Sequence, residues 1–145
     1  MQFKKTLLTV ALLGSGLGLA PLFVDAMSYY PVIKVASLGG VEFTLVHDAT
    51  GNRQACGVEN RKFLEPLKKQ CKDCRVVYAR CERQLEGAEL ALSRRETMPH
   101  YVISASNMRM LVTGPSVVAK RACEDVAANM VKNGLQTAAC LYPHG

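Results

Sequence analysis

Several patterns that would announce a chemistry are missing from this sequence. Its three histidines, His47, His100 and His144, are scattered, and none stands in a metal-ligand spacing such as HxxxH. No serine lies in a nucleophile-elbow pattern, so His47 beside Asp48 has no nucleophile to activate. There is no second CxxC: Cys56, Cys71, Cys74 and Cys81 supply four thiols but one knuckle, where structural zinc usually shows two. Aromatic residues make up 6% of the chain, too few to interleave with basic side chains on a sheet that stacks RNA bases. After residue 26 no apolar run approaches the roughly 20 residues needed to span a bilayer. These absences leave no catalytic constellation, and the expectation is a protein that is not an enzyme, carries no metal or other cofactor and binds no nucleic acid.

What is present begins with an export signal. Lys4 and Lys5 form a positive start, residues 6–20 carry no charge, and Pro21 precedes Val24-Asp25-Ala26, whose small or modest side chains suit a signal peptidase. Residues 1–26 therefore read as a secretory signal cut after Ala26, the other reading being an uncleaved N-terminal anchor. No cysteine closes the apolar stretch, which argues against a lipoprotein. Residues 27–145 are then one domain, periplasmic or secreted, with contact to the inner membrane only if the signal stays attached. The chain's +6 loses two lysines and one aspartate with the signal, which leaves +5 and favours anionic partners.

Six cysteines, an even number, all follow the signal, and an exported chain oxidises them to disulfides. Periodicity places the elements around them. Residues 32–37 and 41–47 are strand-like and separated by the Leu38-Gly39-Gly40 turn. A helix is expected from near Val58 to Gln70, kinked or limited by Pro66, then a strand over 75–80 between Cys74 and Cys81. Residues 82–99 suit a weak helix or a loop equally well. Strands follow at 101–105 and 109–113. The last helix has Pro115 just before or at its first turn and Ser116 to cap it, carries Lys120 with Glu124 and Arg121 with Asp125 on its solvated face, and stops at Gly134. Residues 137–141 return as a strand.

Matching distances from each turn pairs the cysteines. Cys123 lies about 15 Å back along its helix from Asn133, and Cys140 about 13 Å along the strand past Gln136, so these two meet. In the first half, Cys56 lies about 22 Å from Cys71 along a helix, and Cys81 about 23 Å from Cys74 along a strand. That joins Cys56 to Cys81 and leaves Cys71 with Cys74. The competing pattern is Cys56 with Cys74 and Cys71 with Cys81.

Two strand–helix–strand units in succession point to an α+β fold, a ferredoxin-like βαββαβ sandwich with an extra N-terminal strand at its edge, stabilised by disulfides. A loose two-fold similarity sets Gln54-Ala55-Cys56 against Arg121-Ala122-Cys123. The run Arg109-Met110-Leu111-Val112-Thr113-Gly114-Pro115-Ser116, the alanine-rich helix, then Asn133-Gly134-Leu135 and a closing strand, over about residues 109–142, resembles the second half of a SPOR domain. That resemblance implies a bacterial envelope module of βαββαβ fold that binds peptidoglycan glycan strands lacking stem peptides. The first half departs from the SPOR pattern in the ending of the 41–48 strand, the 82–99 insertion and the six cysteines.

The expected role is a non-enzymatic exported binding or accessory domain of the cell envelope. It contacts peptidoglycan or another acidic envelope polymer, or a protein of an export or polysaccharide assembly. Arg75, Tyr78 and Arg109 would form the contact on the sheet face that the helices leave bare. The alternative is a thiol-disulfide exchange protein using Cys71 and Cys74, although Cys71 ends a helix where the dipole disfavours a thiolate.

Overall fold

Alternation of apolar and polar side chains builds the sheet from its middle outward. The computed structural model describes residues 28–144, so the expected signal and its cleavage point at Ala26 lie outside the described residues. Along the chain run β1 (Tyr30–Ser37), β2 (Glu42–His47), α1 (Arg53–Gln70), β3 (Cys74–Glu82), α2 (Gly87–Ser93), β4 (Tyr101–Ser104), β5 (Met108–Thr113), α3 (Ser116–Lys132) and β6 (Ala139–Leu141). The strands form one six-stranded sheet in the order β3-β1-β2-β5-β4-β6, with every neighbouring pair antiparallel.

The α+β class and the antiparallel sheet agree with the sequence reading, but the strand order differs from it. The N-terminal strand β1 is not an edge addition: it lies inside the sheet, paired with β2 on one side and β3 on the other. Each half of the chain is a hairpin, a helix and a third strand that returns beside the first strand of its own hairpin. The halves β1-β2-α1-β3 and β4-β5-α3-β6 then meet at β2 and β5, and the order reads the same from either edge. The offset that carries Cys56 onto Cys123 also carries Thr44 onto Leu111, its own partner across the β2–β5 junction. It carries Val41, Phe43 and Leu45 onto Met108, Met110 and Val112, all packed in one core. A pseudo-two-fold axis therefore passes beside Thr44 and Leu111.

Local signals explain the helix ends. The Asn52 side chain accepts a hydrogen bond from the Ala55 N–H at 2.8 Å, so α1 starts at Arg53, ahead of the expected Val58. The helix runs through Pro66 to Gln70. In α3, Pro115 takes the N-cap position and Ser116 is the first helical residue, so the Ser116 hydroxyl does not cap it. Gly134, at φ 99°, closes α3 as expected, with Leu135 N–H donating to Met130 O and Gly134 N–H to Val131 O. At the β1–β2 turn, a side chain on Gly114 would meet Gly40 O at 2.7 Å, so the end of β5 and the hairpin tip approach as only glycine allows.

Two cores result, one on each sheet face. Ile33, Val35, Leu45, Met110 and Val112 face α1 and α3. Val32, Val46, Val102 and Leu111 point the other way, onto Leu85, Leu92 and Met98. Residues 82–99 thus form α2 and its flanks, a cover for the second face. Their charges lie on the outer side of a segment whose Leu85 and Leu92 are buried.

Candidate binding site

The three cysteine pairs decide where the helices sit. Cys56 bonds to Cys81, Cys71 to Cys74 and Cys123 to Cys140, the pairing that distance matching favours. The first bridge ties α1 to β3 at one edge of the sheet, and the third ties α3 to β6 at the opposite edge. The helices are held outward, over β3 and β1 on one side and over β5, β4 and β6 on the other. Between them a groove of about 520 Å³ stays open above the middle of the sheet.

Its lining is almost wholly apolar. Ile33, Val35, Phe43, Leu45, Met108 and Met110 make the floor, Phe63 and Leu67 one wall, and Val126 and Met130 the other. Ser37, Lys62, Gln70 and Asn129 are its polar members. Three methionines give the surface unbranched, polarisable side chains that adapt to an irregular occupant. At one end the groove passes Gly39 and Val118, next to Leu38 and Val117, which are 85% and 76% exposed. The Cys71–Cys74 bridge lines the groove as well. Cys71 is the C-cap of α1, where the helix dipole is negative and opposes a thiolate. Exposed Arg61, Lys62, Lys68 and Lys69 of α1 give that side a positive character, with Lys62 Nζ 2.7 Å from Glu59.

His47 stands at the end of β2, its ring edge-on to Phe63 with centroids 6.4 Å apart. Its Nε2 is buried without a partner. Burial pushes the imidazole below its ordinary pKa, against the pull of Glu59 and Asp48 and a hydrogen bond to the Asn107 backbone. The folded state thus protonates His47 only at a lower pH than the unfolded chain, whose imidazole has its ordinary value of 6.5. A depressed folded value means that stability is complete above pH 6.5 and falls as the pH drops below it. Thermal midpoints measured between pH 7.5 and 5.5 should fall for the wild type and fall less for His47→Gln; equal slopes would remove the assignment.

The three residues expected on a bare sheet face differ in exposure. Arg75 is exposed on the edge strand β3. Tyr78 is occupied: its hydroxyl donates to Glu89 Oε1 at 3.0 Å, and the Arg80 guanidinium lies 4.3 Å from its ring centre. Burial and then the Glu89 carboxylate push the Tyr78 phenol up. Arg109, on β5, is only 6% exposed. By register all three point to the face of Val32 and Val46, and α2 with residues 94–98 covers part of that face. Nothing in the residue pattern marked the groove in advance, since its lining reads as ordinary core and the gap arises from where two bridges pin two helices.

Among the described residues, no helix is long and apolar enough to cross a membrane. No family model matches the sequence, and neither a curated protein nor a solved structure is found similar to the chain.

Proposed function

We propose that this chain is a non-enzymatic, exported binding domain of the cell envelope, and that its central groove takes the apolar chain of an anionic amphiphile. The observation that carries this reading is the groove of about 520 Å³ with its nearly continuous apolar lining. That size falls in the range of about 300 to 1,000 Å³ typical of small-molecule sites. Desolvating the exposed parts of Phe43, Phe63, Leu67 and Met130 drives binding, at roughly 25 cal/mol per Å² of apolar surface removed from water. The lysines of α1 suit an acidic head group at the rim, where Lys62 already lines the groove. Three disulfides fit an oxidising compartment, and the SPOR-like pattern of residues 109–142 supports an envelope setting. A purely glycan ligand is the weaker choice, since of Arg75, Tyr78 and Arg109 only the first is exposed.

Titration with dansyl-undecanoate, read by fluorescence and reversed with palmitate, tests the assignment. The wild type should saturate, and Val126→Trp, which fills the groove from the α3 wall, should bind at least about tenfold more weakly. Its thermal midpoint should stay within about 5 °C of the wild type. No saturable signal from the folded wild type, or an undiminished one from the variant, would end the proposal.

A further inference from the structure

The second face of the sheet contains a cation that the fold buries without a counter-ion. Arg109 lies in the body of β5, in register with Val46 of β2 and Ser104 of β4, and is 6% exposed. A guanidinium offers five N–H donors. Here Nη1 donates to the Glu96 carbonyl at 3.3 Å, and the buried Nε has no partner. Among the described residues no carboxylate pairs with it. The Glu96 carboxylate turns toward Arg94, at 4.0 Å, and that of Glu89 is taken by Arg80 and Tyr78.

A second unpaired guanidinium stands beside it. Arg95 is exposed, and its Nη2 donates to the carbonyls of Ser106 at 2.8 Å and Ala105 at 3.4 Å. Among the described residues it too lacks an ion-pair partner. Its backbone, at φ 57°, holds the left-handed position that closes α2, with Arg95 N–H donating to Leu92 O and Glu96 N–H to Ala91 O. That position usually belongs to glycine. An arginine there, at a steric cost, lines the same cavities as Arg109. Burial first, and the Arg95 charge second, push the Arg109 guanidinium below its ordinary value.

Two cavities open on either side of this pair, of about 390 and 270 Å³, and both are lined by Arg95 and Arg109. The larger also meets His100, Tyr142, His144 and Glu96, and the smaller meets His47 and Asp48. A buried charge with no opposite charge beside it carries a heavy penalty, and among the described residues Arg109 has no such partner. We propose that Arg109 and Arg95 form an oxyanion site, in which a phosphate or carboxylate group of a ligand enters the larger cavity, accepts from Arg109 and is closed over by Arg95. The site is on the face opposite the groove and stands independently of the amphiphile reading.

The test follows the arginine Nε–Hε resonances of the full domain by NMR during titration with inorganic phosphate, with acetate, and with sodium chloride at matched ionic strength. The Arg109 signal should shift saturably with phosphate or acetate and not with chloride, and the anion of higher affinity names the group. Arg95→Gln alters an exposed side chain and should weaken binding by roughly tenfold or more, the loss of a charge-assisted contact. Arg109→Met should abolish it; if that variant does not fold, Arg95→Gln alone decides. An absent shift, a shift that chloride reproduces, or equal affinity in Arg95→Gln would each overturn the site.

Discussion

Replacing Cys56 and Cys81 together by alanine is expected to lower the free energy of unfolding by about 3 to 4 kcal/mol, the loss set by the loop this bridge closes. Its partners are 25 residues apart in sequence, against 17 for Cys123–Cys140 and 3 for Cys71–Cys74. The same relation gives about 3 kcal/mol for the second of these and less than about 2 for the third. Contacts sharpen the ranking. Cys56 is wholly buried, and Asn60, also buried, donates from Nδ2 to Arg80 O at 3.0 Å and lies 3.8 Å from Cys81 Sγ. Denaturant titrations of the three double-alanine proteins check the order. An equal loss from Cys71–Cys74 and Cys56–Cys81 would show that loop closure is not the governing cost. On the amphiphile proposal the bridge also bears on binding: without it α1 is free to slide toward the sheet centre, where burying Phe63 and Leu67 more deeply would close the groove. Dansyl-undecanoate affinity should therefore fall in the Cys56/Cys81 variant and hold in the Cys71/Cys74 variant.

The elements whose residues face one environment were legible in the sequence. Strand alternation in β1, β2 and β5, the Gly134 stop and the cysteine pairing all follow from spacings along one chain, because helix and strand rise per residue are fixed. The early start of α1 was legible in principle, since Asn52 with the following helix formers is a capping signal. What escaped depends on which segments lie against each other. Whether β1 is an edge or an interior strand depends on where β3 returns. Arg109 reads as a solvated position on an alternating strand, and only the placement of α2 and residues 94–98 buries it. The groove has no local signature at all: Met110 and Met130 would pattern identically if the two helices touched.

Truncating Leu92 to alanine should cost about 2 to 5 kcal/mol, the range for deleting a fully buried leucine side chain. Leu92 is 0% exposed and packs with Val32, Val46, Val102 and Leu111 of the sheet. The helix that carries it has seven residues, Gly87–Ser93, too few to persist in water without tertiary contacts. Its polar ties run from the mostly buried Glu89 to the half-exposed Arg80 at 2.8 Å and to the Tyr78 hydroxyl at 3.0 Å. Ion pairs so placed contribute about 1 kcal/mol or less, so Leu92 and its neighbour Leu85 hold α2 on the sheet. Hydrogen exchange should then show residues 85–98 losing protection in Leu92→Ala ahead of β1, β2 and β5, whose core on the helical face is untouched. Ser93→Ala, at an exposed position, should stay within about 0.5 kcal/mol. Uniform loss of protection across the sheet would mean that α2 and the sheet unfold as one unit; a cost under about 1 kcal/mol would mean that Leu92 does not anchor it. Because residues 94–98 follow directly from α2, its release also uncovers Arg109, and the phosphate-induced shift of the Arg109 resonance should weaken in step with the lost protection.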